Sequence, residues 1–503
     1  MKLDNKKTIF VGFAFFIIMM FWQVYDNIIA KILINSFGLN QTMSGVVMAL
    51  DNILAVVLLP IFGVLSDRTK TKYGKRTPYI FFGTLIAAGL IMGISIFDNA
   101  QLSKIKEAGI SEVVTVEIGK EASNGKTYEA GTYEVIVEES GEQKTVSMSL
   151  ENEDVIYLFS RDAEEFYDTK EAASDARSIF VREVRDNHVG YYIGFIVVLF
   201  LILVAMAVFR TPAVSLMPDI TPKPLRSKGN AIINLMGAAG GVTALGFMTF
   251  ISKDYQSYTP TFVCLGILML LCLAVFMLKV KENKWVEEME QQSLEYGIDE
   301  TEEVLENNEK VKMPKDVKQS FILILLAVAF WYMAYNAATS KFSVYAGQVL
   351  DTGFTMPLMI ANAAAIVSYA PIGILSSKYG RKKMVIVGVI ILFLAFLLGS
   401  FVRANSAILI WVVMALAGIG WATINVNSYP MVVEMSRSSD IGKYTGIYYT
   451  ASMAAQIATP VLSGFFMDIF NMTVLFPYCV VFCVLAFIMM LFVKHGDSEI
   501  LKK

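Results

Sequence analysis

The chain has 503 residues, of which 55% are hydrophobic and 17% are charged, and its formal net charge is −3. Apolar runs of about 20 residues, the length at which a helix crosses a bilayer, recur along it. This composition excludes a soluble globular protein, and the small net charge gives no reason to expect a nucleic-acid partner. An integral protein of the lipid bilayer is predicted.

Twelve apolar runs are predicted to cross the membrane, which gives an all-α bundle. The first run follows three lysines but lacks a small-residue cleavage site, so we interpret it as a retained span and not a signal peptide. The predicted spans, numbered 1 to 12, are 8–30, 43–65, 78–97, 190–216, 229–251, 260–280, 319–345, 355–376, 384–402, 408–433, 444–467 and 473–493.

Charge in the short loops predicts the orientation. Short loops after the even-numbered spans are rich in lysine and arginine, whereas the short loops on the other side carry about three such residues, Lys31, Lys253 and Arg403. The positive-inside rule therefore predicts that both termini lie in the cytoplasm. The expected location is the cell membrane, with multiple passes.

An internal repeat relates the two parts of the chain. The stretch "GVLSDRTKTKYGKR" from Gly63 is answered by "GILSSKYGRKK" from Gly373, 310 residues later. The same offset relates "FWQVYDNIIAK" in span 1 to "FWYMAYNAATSK" in span 7. The sequence thus predicts two six-helix halves in parallel orientation, a plan typical of secondary transporters.

The offset changes after span 3, which indicates an insertion of about 93 residues in the first half. Within it, "SEVVTVEIG", "GTYEVIVEE" and "KTVSMSL" predict strands, and "RDAEEFYDTKEAASDARSIFVREVRDN" predicts an amphipathic helix. We expect a small extracellular α+β domain. Its lack of cysteine favours a bacterial surface.

The predicted organisation has six parts. The segment between the halves is acidic and is interpreted as a partly helical, mobile cytoplasmic linker. The parts are spans 1–3 in 1–97, the insertion in 98–188, spans 4–6 in 189–280, the linker in 281–318, spans 7–12 in 319–493 and a cytoplasmic tail in 494–503.

Enzymatic chemistry is not expected. All four cysteines lie in predicted spans, where they read as small apolar side chains and not as a disulfide framework or metal cluster. The sequence offers no nucleotide-binding loop and no nucleophile constellation. No cofactor is predicted.

The charged loop after span 2 is predicted to move during function. Glycines allow a tight turn and close helix approach, an aspartate can cap or pair at a helix end, and the basic residues contact the anionic leaflet. A role in topology alone is the alternative. The expected gating residues in both halves are Gly63, Asp67, Arg68, Gly74, Arg76, Gly373 and Arg381.

These motifs resemble those of the major facilitator superfamily. The long loop "GVLSDRTKTKYGKRTPY" is similar to that of the glycoside-pentoside-hexuronide:cation symporters and the sucrose/proton symporters. "FRTPAVSLMPDITPKPLRSKGN" and "NVNSYPMVVEMSRSSDIGKYTG" extend the resemblance. It implies uptake of a sugar or glycoside driven by a proton or sodium gradient.

The resemblance has two departures. Melibiose-type relatives carry paired aspartates in span 2, where this chain has Ala55 and Leu59. Plant sucrose symporters carry an aspartate within span 4, where this chain reads "FLILVAMAVF". The cation site is therefore expected elsewhere, or coupling is lost.

Two intramembrane aspartates are the candidates for that site. Asp26 shares a helical face with Trp22 and Tyr25, a combination that suits a sugar because rings cover C–H faces and carboxylates accept hydroxyl groups. Asp51 and Asn52 form a second candidate. The alternatives are a position near the outer headgroups for Asp26 and a structural ion pair for Asp51.

Two cations are expected to pair with these acids and to switch proton binding, namely Arg210 in span 4 and Lys341 in span 7. In the second half, polar and aromatic residues are expected to line a neutral cavity, although such stripes also join helices. These substrate-binding candidates are Trp331, Tyr335, Asn336, Trp421, Asn425 and Gln456. A charge network closing the inner gate is expected from Asp219, Arg226, Glu434 and Lys443.

The sequence as a whole predicts symport of a sugar or glycoside with a cation, H⁺ being favoured over Na⁺. Because one chain contains both halves, a monomer is expected to function. An exporter of amphiphilic compounds is one alternative, and the polar lining argues against it. A membrane sensor that binds its ligand in the 98–188 domain is another.

Overall fold

The computed structural model describes residues 3–139, 142–161, 163–222, 226–251, 257–296, 315–435 and 441–496. Within these residues, twelve long helices correspond to the predicted spans, and ten of them are long and apolar enough to cross a bilayer. The fold is therefore an all-α bundle with one small inserted sheet. Spans 1 to 12 are Asn5–Asn35, Gln41–Arg68, Thr77–Glu107, Val189–Asp219, Arg226–Ile251, Thr259–Lys279, Lys315–Ser340, Thr355–Tyr379, Arg381–Gly399, Leu409–Glu434, Ile441–Ile469 and Leu475–Phe492.

Local sequence signals set several helix ends. The Asp4 carboxylate accepts the backbone N–H groups of the first turn of span 1, and Asn40 accepts the N–H of Met43 at 2.9 Å at the start of span 2. Proline occupies the first turn of spans 3 and 6, where its missing N–H needs no partner. These ends follow from residues next to them in sequence.

Spans 1 and 7, which the repeat relates, are each irregular near their C-terminal ends. Span 1 contains a π-helical segment, Tyr25–Ile29. Span 7 ends at Ser340, and after Lys341 a short helix continues as Phe342–Gln348. Span 7 was expected to run unbroken to residue 345, and periodicity gave no sign of the break. Such irregularities frequently mark functional sites.

The two halves pack as separate groups and meet along spans 2 and 11 and spans 5 and 8. Glycine makes the first of these contacts possible. A Cβ at Gly45 would lie 2.1 Å from the carbonyl oxygen of Pro460, and one at Gly464 would lie 2.4 Å from that of Gln41. Small residues therefore let spans 2 and 11 approach closely.

The inserted domain contains a five-stranded sheet of order β1-β4-β5-β2-β3 and one helix. The strands are Val114–Glu117, Gly131–Glu139, Glu142–Leu150, Val155–Ser160 and Glu164–Tyr167, and the helix, called the domain helix, is Lys170–Asn187. Among the strand pairs of the described residues, only β2 with β5 is parallel.

The structure corrects two details of the insertion. Residues 164–167, expected to be helical, form β5, and the helix begins only after Thr169, whose hydroxyl accepts the N–H of Ala172 at 3.3 Å. Span 3 continues as a helix to Glu107, beyond the expected start of the insertion at residue 98. Helical periodicity does not distinguish a span from its polar extension.

The expected linker begins with a helix, Glu282–Glu295, called here the linker helix. Trp285 and Met289 on this helix are buried. The start of the linker is therefore packed against the bundle, whereas it was expected to be mobile. Residues 297–314 lie outside the described residues.

Candidate functional site

The bundle has two ends, which we name by what they carry. The domain face carries the inserted domain, and the linker face carries the linker helix and the loop after span 2. The candidate residues in the spans lie between these faces.

In the first half, three spans bring charged groups together. Asp26 lies in the π-helical segment of span 1, and Arg210 interacts electrostatically with both Asp26 and Asp51. The side-chain amide of Asn52 donates to Asp51 at 2.7 Å. The three charged residues lie deep in the protein yet keep solvent-accessible surface, as expected for cavity-lining groups.

Aromatic rings adjoin this charge cluster. The Arg210 guanidinium lies 5.6 Å from the ring centroid of Trp22, and Trp22 meets Tyr25 edge to face at 5.3 Å. Tyr25 donates its hydroxyl to the carbonyl oxygen of Met48 at 3.4 Å. The indole N–H of Trp22 is buried and has no hydrogen-bond partner among the described residues, so a ligand could accept from it.

Lys341 does not join this cluster, which corrects its expected pairing with the acids. Its ammonium donates to the backbone carbonyl of Gln41 at 2.9 Å and reaches the Gln41 side-chain oxygen at 3.4 Å. The break after span 7 places Lys341 at the domain face. Its nearby acid is Asp468.

In the second half, aromatic rings form a flat platform. Tyr335 stacks on Trp421 with centroids 4.1 Å apart and planes 4° apart, and Tyr332 meets Trp421 edge to face at 5.0 Å. The side-chain nitrogen of Asn336 is buried, and no atom in the described part of the chain is its hydrogen-bond partner. Asn336 stands 310 residues after Asp26, so the two halves place polar groups at equivalent levels.

Not every predicted contact in the second half faces this platform. Trp331 is only 1% exposed and lies in the core. Asn425 and Gln456 remain partly exposed, and Gln456 donates to the backbone carbonyl of Ser452 at 3.3 Å. Tyr332 was missed because helical spacing from Tyr335 favoured Trp331, one position earlier.

A carboxylate closes the domain face. The Asp468 oxygens accept the backbone N–H groups of Gln41 at 2.9 Å and Thr42 at 2.8 Å. Span 11 thus caps the first turn of span 2, where the free N–H groups and the helix dipole favour a negative charge. Asp468 was not among the predicted site residues, although an acid at the end of an apolar run is a usable signal.

The repeat provides a second contact at the same face. Lys31, the counterpart of Lys341, is 9% exposed, and its ammonium lies 4.3 Å from the ring centroid of Phe354 in the other half. Equivalent lysines therefore extend from each half to the other. The equivalent positions of the two lysines follow from the 310-residue repeat, but the groups that each lysine contacts could not be inferred from it.

The inserted domain bridges both halves. On one side, Arg177 donates to the carbonyl of Asn35 at 2.8 Å and Arg182 donates to that of Gly38 at 2.7 Å, just after span 1. On the other side, Lys170 pairs with Asp351, and Glu171 accepts the N–H of Met472. The domain helix thus helps to close the domain face.

At the linker face, Arg76 is the centre of an ion-pair network within the first half. It pairs with Asp67 and, at 2.9 Å, with Asp219, which also lies 3.2 Å from Lys75. Burial lowers the pKa of Arg76, but Asp219 and Asp67 outweigh burial and raise it overall. Asp219 was expected to join charges from both halves; its described ion pairs are local.

Glu282 of the linker helix fixes this loop. Its carboxylate accepts the backbone N–H groups of Lys75 at 2.8 Å and Thr77 at 2.8 Å, which caps span 3. Gly74 has a φ of +114°, and a Cβ there would lie 2.2 Å from the Glu282 carboxylate. Glu282 was missed because nothing in its local sequence distinguishes it from other linker acids.

The remaining predicted gating residues contribute less to this picture. Arg68 is exposed at the end of span 2, and a Cβ at Gly63 would lie 3.2 Å from Thr211. Gly373 and Arg381 lie at the equivalent end of the second half. The side chains of Arg226, Glu434 and Lys443 lie outside the described residues.

Comparison with known proteins identifies the family. The sequence model of the Major Facilitator Superfamily matches residues 188–370 and 358–502. The chain belongs to this superfamily. A second model, described as MFS/sugar transport protein, matches residues 10–111. No curated protein gave a significant match. This superfamily member is a transporter and not an enzyme.

Solved structures share the fold at low identity. The xylose transporter XylE from E. coli, in an inward open conformation, is 13% identical over 99% of this chain and 97% of that chain, with a TM-score of 0.58. The nucleoside transporter NupG is 12% identical over 97% and 100%, with a TM-score of 0.58. A bacterial homologue of the iron transporter ferroportin, in an inward-facing state, is 10% identical over 97% and 99%, with a TM-score of 0.60.

Proposed function

We propose that this transporter takes up a neutral sugar or glycoside together with a cation, H⁺ in preference to Na⁺, by alternating access. The sugar-transport match of residues 10–111 and the fold shared with a D-xylose-proton symporter support this proposal. The resemblance of the loop 63–79 to glycoside and sucrose symporters points in the same direction.

The observation that carries the proposal is a charge imbalance. Asp26 and Asp51 both interact with Arg210, so the described cluster holds two acids and one base. A net charge away from bulk water is costly unless it is neutralised. A bound H⁺ or Na⁺ would neutralise it, and that is the requirement for cation coupling.

The position of Asp51 accounts for the departure from the related symporters. Asp51, Ala55 and Leu59 are spaced by four residues and share one face of span 2. In this chain the acid stands about one helical turn closer to the domain face than Ala55 and about two turns closer than Leu59. We propose that the coupling site has moved along the same helical face and was not lost.

The platform in the second half suits a sugar. The stacked rings of Tyr335 and Trp421 offer a flat apolar surface for the C–H groups of a pyranose. The free amide of Asn336 and the indole N–H of Trp22 can donate to hydroxyl oxygens. Because a nucleobase would also stack on such rings, nucleosides belong in the test.

The cycle follows from the contacts at the domain face. We propose that this face is extracellular and that both termini are cytoplasmic, in accordance with the loop charges. The described structure is closed there by Lys341, Gln41 and Asp468. Opening toward the outside would break these bonds, and loading of sugar and cation would let them form again. A monomer suffices for this cycle.

The test is uptake into proteoliposomes. Radiolabelled monosaccharides, disaccharides and uridine are presented with imposed inward H⁺ or Na⁺ gradients, for the wild type, Asp26→Asn and the surface control Glu287→Gln. We expect accumulation of one sugar class under a proton gradient. Asp26→Asn should lose accumulation but keep exchange of labelled for unlabelled sugar, and Glu287→Gln should behave as the wild type.

Each other outcome has a definite meaning. Accumulation of uridine alone would replace the sugar with a nucleoside, and accumulation unaffected by Asp26→Asn would remove Asp26 from coupling. Failure of all solutes under both gradients would overturn symport and favour the exporter or sensor.

A further inference from the structure

We propose that the transporter has a second binding site, in the cavity between the inserted domain and the bundle, for a neutral and hydroxyl-rich solute. The cavity has a volume of about 1130 Å³. Pockets for small molecules typically measure roughly 300–1,000 Å³, so this space can hold a disaccharide with water. The domain helix, the end of span 1 and the connections after spans 7 and 11 enclose it.

The charges around the cavity favour a neutral ligand. Acidic and basic side chains occur in nearly equal numbers, so neither an anion nor a cation is clearly preferred. Carboxylates accept from hydroxyl groups, and ammonium and guanidinium groups donate to hydroxyl oxygens. These charged residues are Lys31, Lys170, Arg177, Arg182, Glu112, Asp168, Glu171, Asp175 and Asp468.

Among the described residues, two buried oxygen atoms of residues that line the cavity have no hydrogen-bond partner. Ser343, on the short helix after span 7, is 0% exposed, and its hydroxyl makes no hydrogen bond. On the domain side, a buried oxygen of Asp168 also has none. Buried polar atoms without partners are costly, so a bound solute or water is expected between these walls.

The cavity is separate from the site between the halves. Gln41 and Asp468 line it, and the bonds that join them to each other and to Lys341 close the domain face. The cavity therefore lies between the inserted domain and the contacts of Gln41, Asp468 and Lys341 that close the domain face. A solute held there would reach the platform at Trp421 only after the closure opens.

Binding in this cavity should depend on the conformation. Its walls come from both halves and from the domain that bridges them. Separation of the halves at the domain face would take the walls apart. By linkage, a solute that binds only the assembled cavity stabilises the closed domain face.

The test is isothermal titration of the full chain in nanodiscs with sucrose, lactose, glucuronate and glucosamine. The background variant is Trp421→Ala, which removes the platform between the halves. We expect a neutral disaccharide to bind this variant still. Adding Ser343→Phe should fill the cavity and weaken that binding about tenfold or more, whereas Ser343→Thr keeps the hydroxyl and should retain it.

A matched control and a second variant guard against misfolding. Met43→Phe enlarges an exposed residue near the same face but outside the cavity, and it should leave binding unchanged. Asp168→Leu alters the opposite wall and should reproduce the loss. Thermal melting of each protein shows whether the fold is kept.

The proposal is overturned if no probe binds Trp421→Ala, if Ser343→Phe leaves binding intact, or if glucuronate or glucosamine binds best. It depends on the proposed sugar function only for the choice of first probes. Failure of that function would appear as lost accumulation in proteoliposomes, which the titration does not measure.

Discussion

Lys341 donates to the backbone carbonyl of Gln41 at 2.9 Å, which joins span 7 of the second half to span 2 of the first. The two residues are 300 positions apart in sequence. Asp468 accepts the N–H of the same glutamine from span 11. One residue at the start of span 2 thus receives two contacts from the other half, and these contacts join the halves at the domain face.

Lys341→Met should favour opening of the domain face. The variant keeps the length of the side chain but loses a charged hydrogen bond, a contribution of about 1.5–3 kcal/mol. Distances between spin labels on Met43→Cys and Phe470→Cys, two exposed sites near this closure, should lengthen. Lys378→Met replaces an exposed side chain at the linker face and should leave these distances unchanged. An equal lengthening in both variants would mean that the effect of Lys341→Met is nonspecific.

The stacked pair Tyr335 and Trp421 predicts graded losses of affinity. Trp421→Ala removes the platform and should weaken substrate binding about tenfold or more, since aromatic contacts contribute ~0.5–1.5 kcal/mol beyond burial. Trp421→Phe should lose less affinity than Trp421→Ala. Tyr335→Phe keeps the stacking ring and should lose the least affinity. Competition for labelled substrate measures the order; equal affinities would exclude the platform from binding.

Glu282→Gln should destabilise the linker face. The carboxylate is 2% exposed and caps span 3, so its neutralisation should cost about 1–3 kcal/mol. The melting temperature in detergent should fall, and proteolysis of the linker should become faster. Glu287→Gln, an exposed neighbour on the same helix, is the control. If Glu282→Gln had the melting temperature and the proteolysis rate of the wild type, the capping role of Glu282 would be contradicted.

The inserted domain should lose stability as pH rises. The Glu112 side chain is exposed as a whole, but desolvation of its carboxyl group raises its pKa against the opposing charge of Arg177, and partial burial raises the pKa of Asp168. When folding raises the pKa of an acid, its protonated form stabilises the folded protein fully at pH values below the unfolded-state pKa of about 4. This stabilisation is lost as the pH rises through the folded-state pKa.

The check compares the wild type with the double variant Glu112→Gln, Asp168→Asn. Melting temperatures are measured from about pH 4 to neutral pH. The decline with rising pH should be smaller in the double variant, because the amides do not ionise. Parallel curves for the two proteins would show that these acids do not control the pH dependence.

Much of the architecture could be predicted from the sequence. The spans, the two-half repeat and three strands of the inserted domain arise from apolar runs, recurring motifs and alternation, which are local patterns. The predicted secondary structure was wrong where a local pattern was ambiguous. Residues 164–167 carry the charge of a helix surface but pair as β5, because neighbouring strands supply their hydrogen bonds.

The candidate site divides in the same way. Asp26, Asp51 and Trp421 could be named from the sequence, because charged and aromatic residues stand out within apolar spans. The functions of Lys341, Asp468 and Glu282 could not. Asp468 and Gln41 are 427 residues apart, and the carboxylate of Glu282 reaches a loop 207 residues earlier.

The sequence by itself determined that this protein is a helical membrane bundle with two related halves and an inserted domain, since burial and bilayer thickness act on each segment separately. Only the tertiary structure decided which face is closed and which acids lie near Arg210 and near Lys341. It also decided that the inserted domain bridges the halves. Those facts depend on how distant segments pack, and two nearly equivalent halves allow more than one such packing.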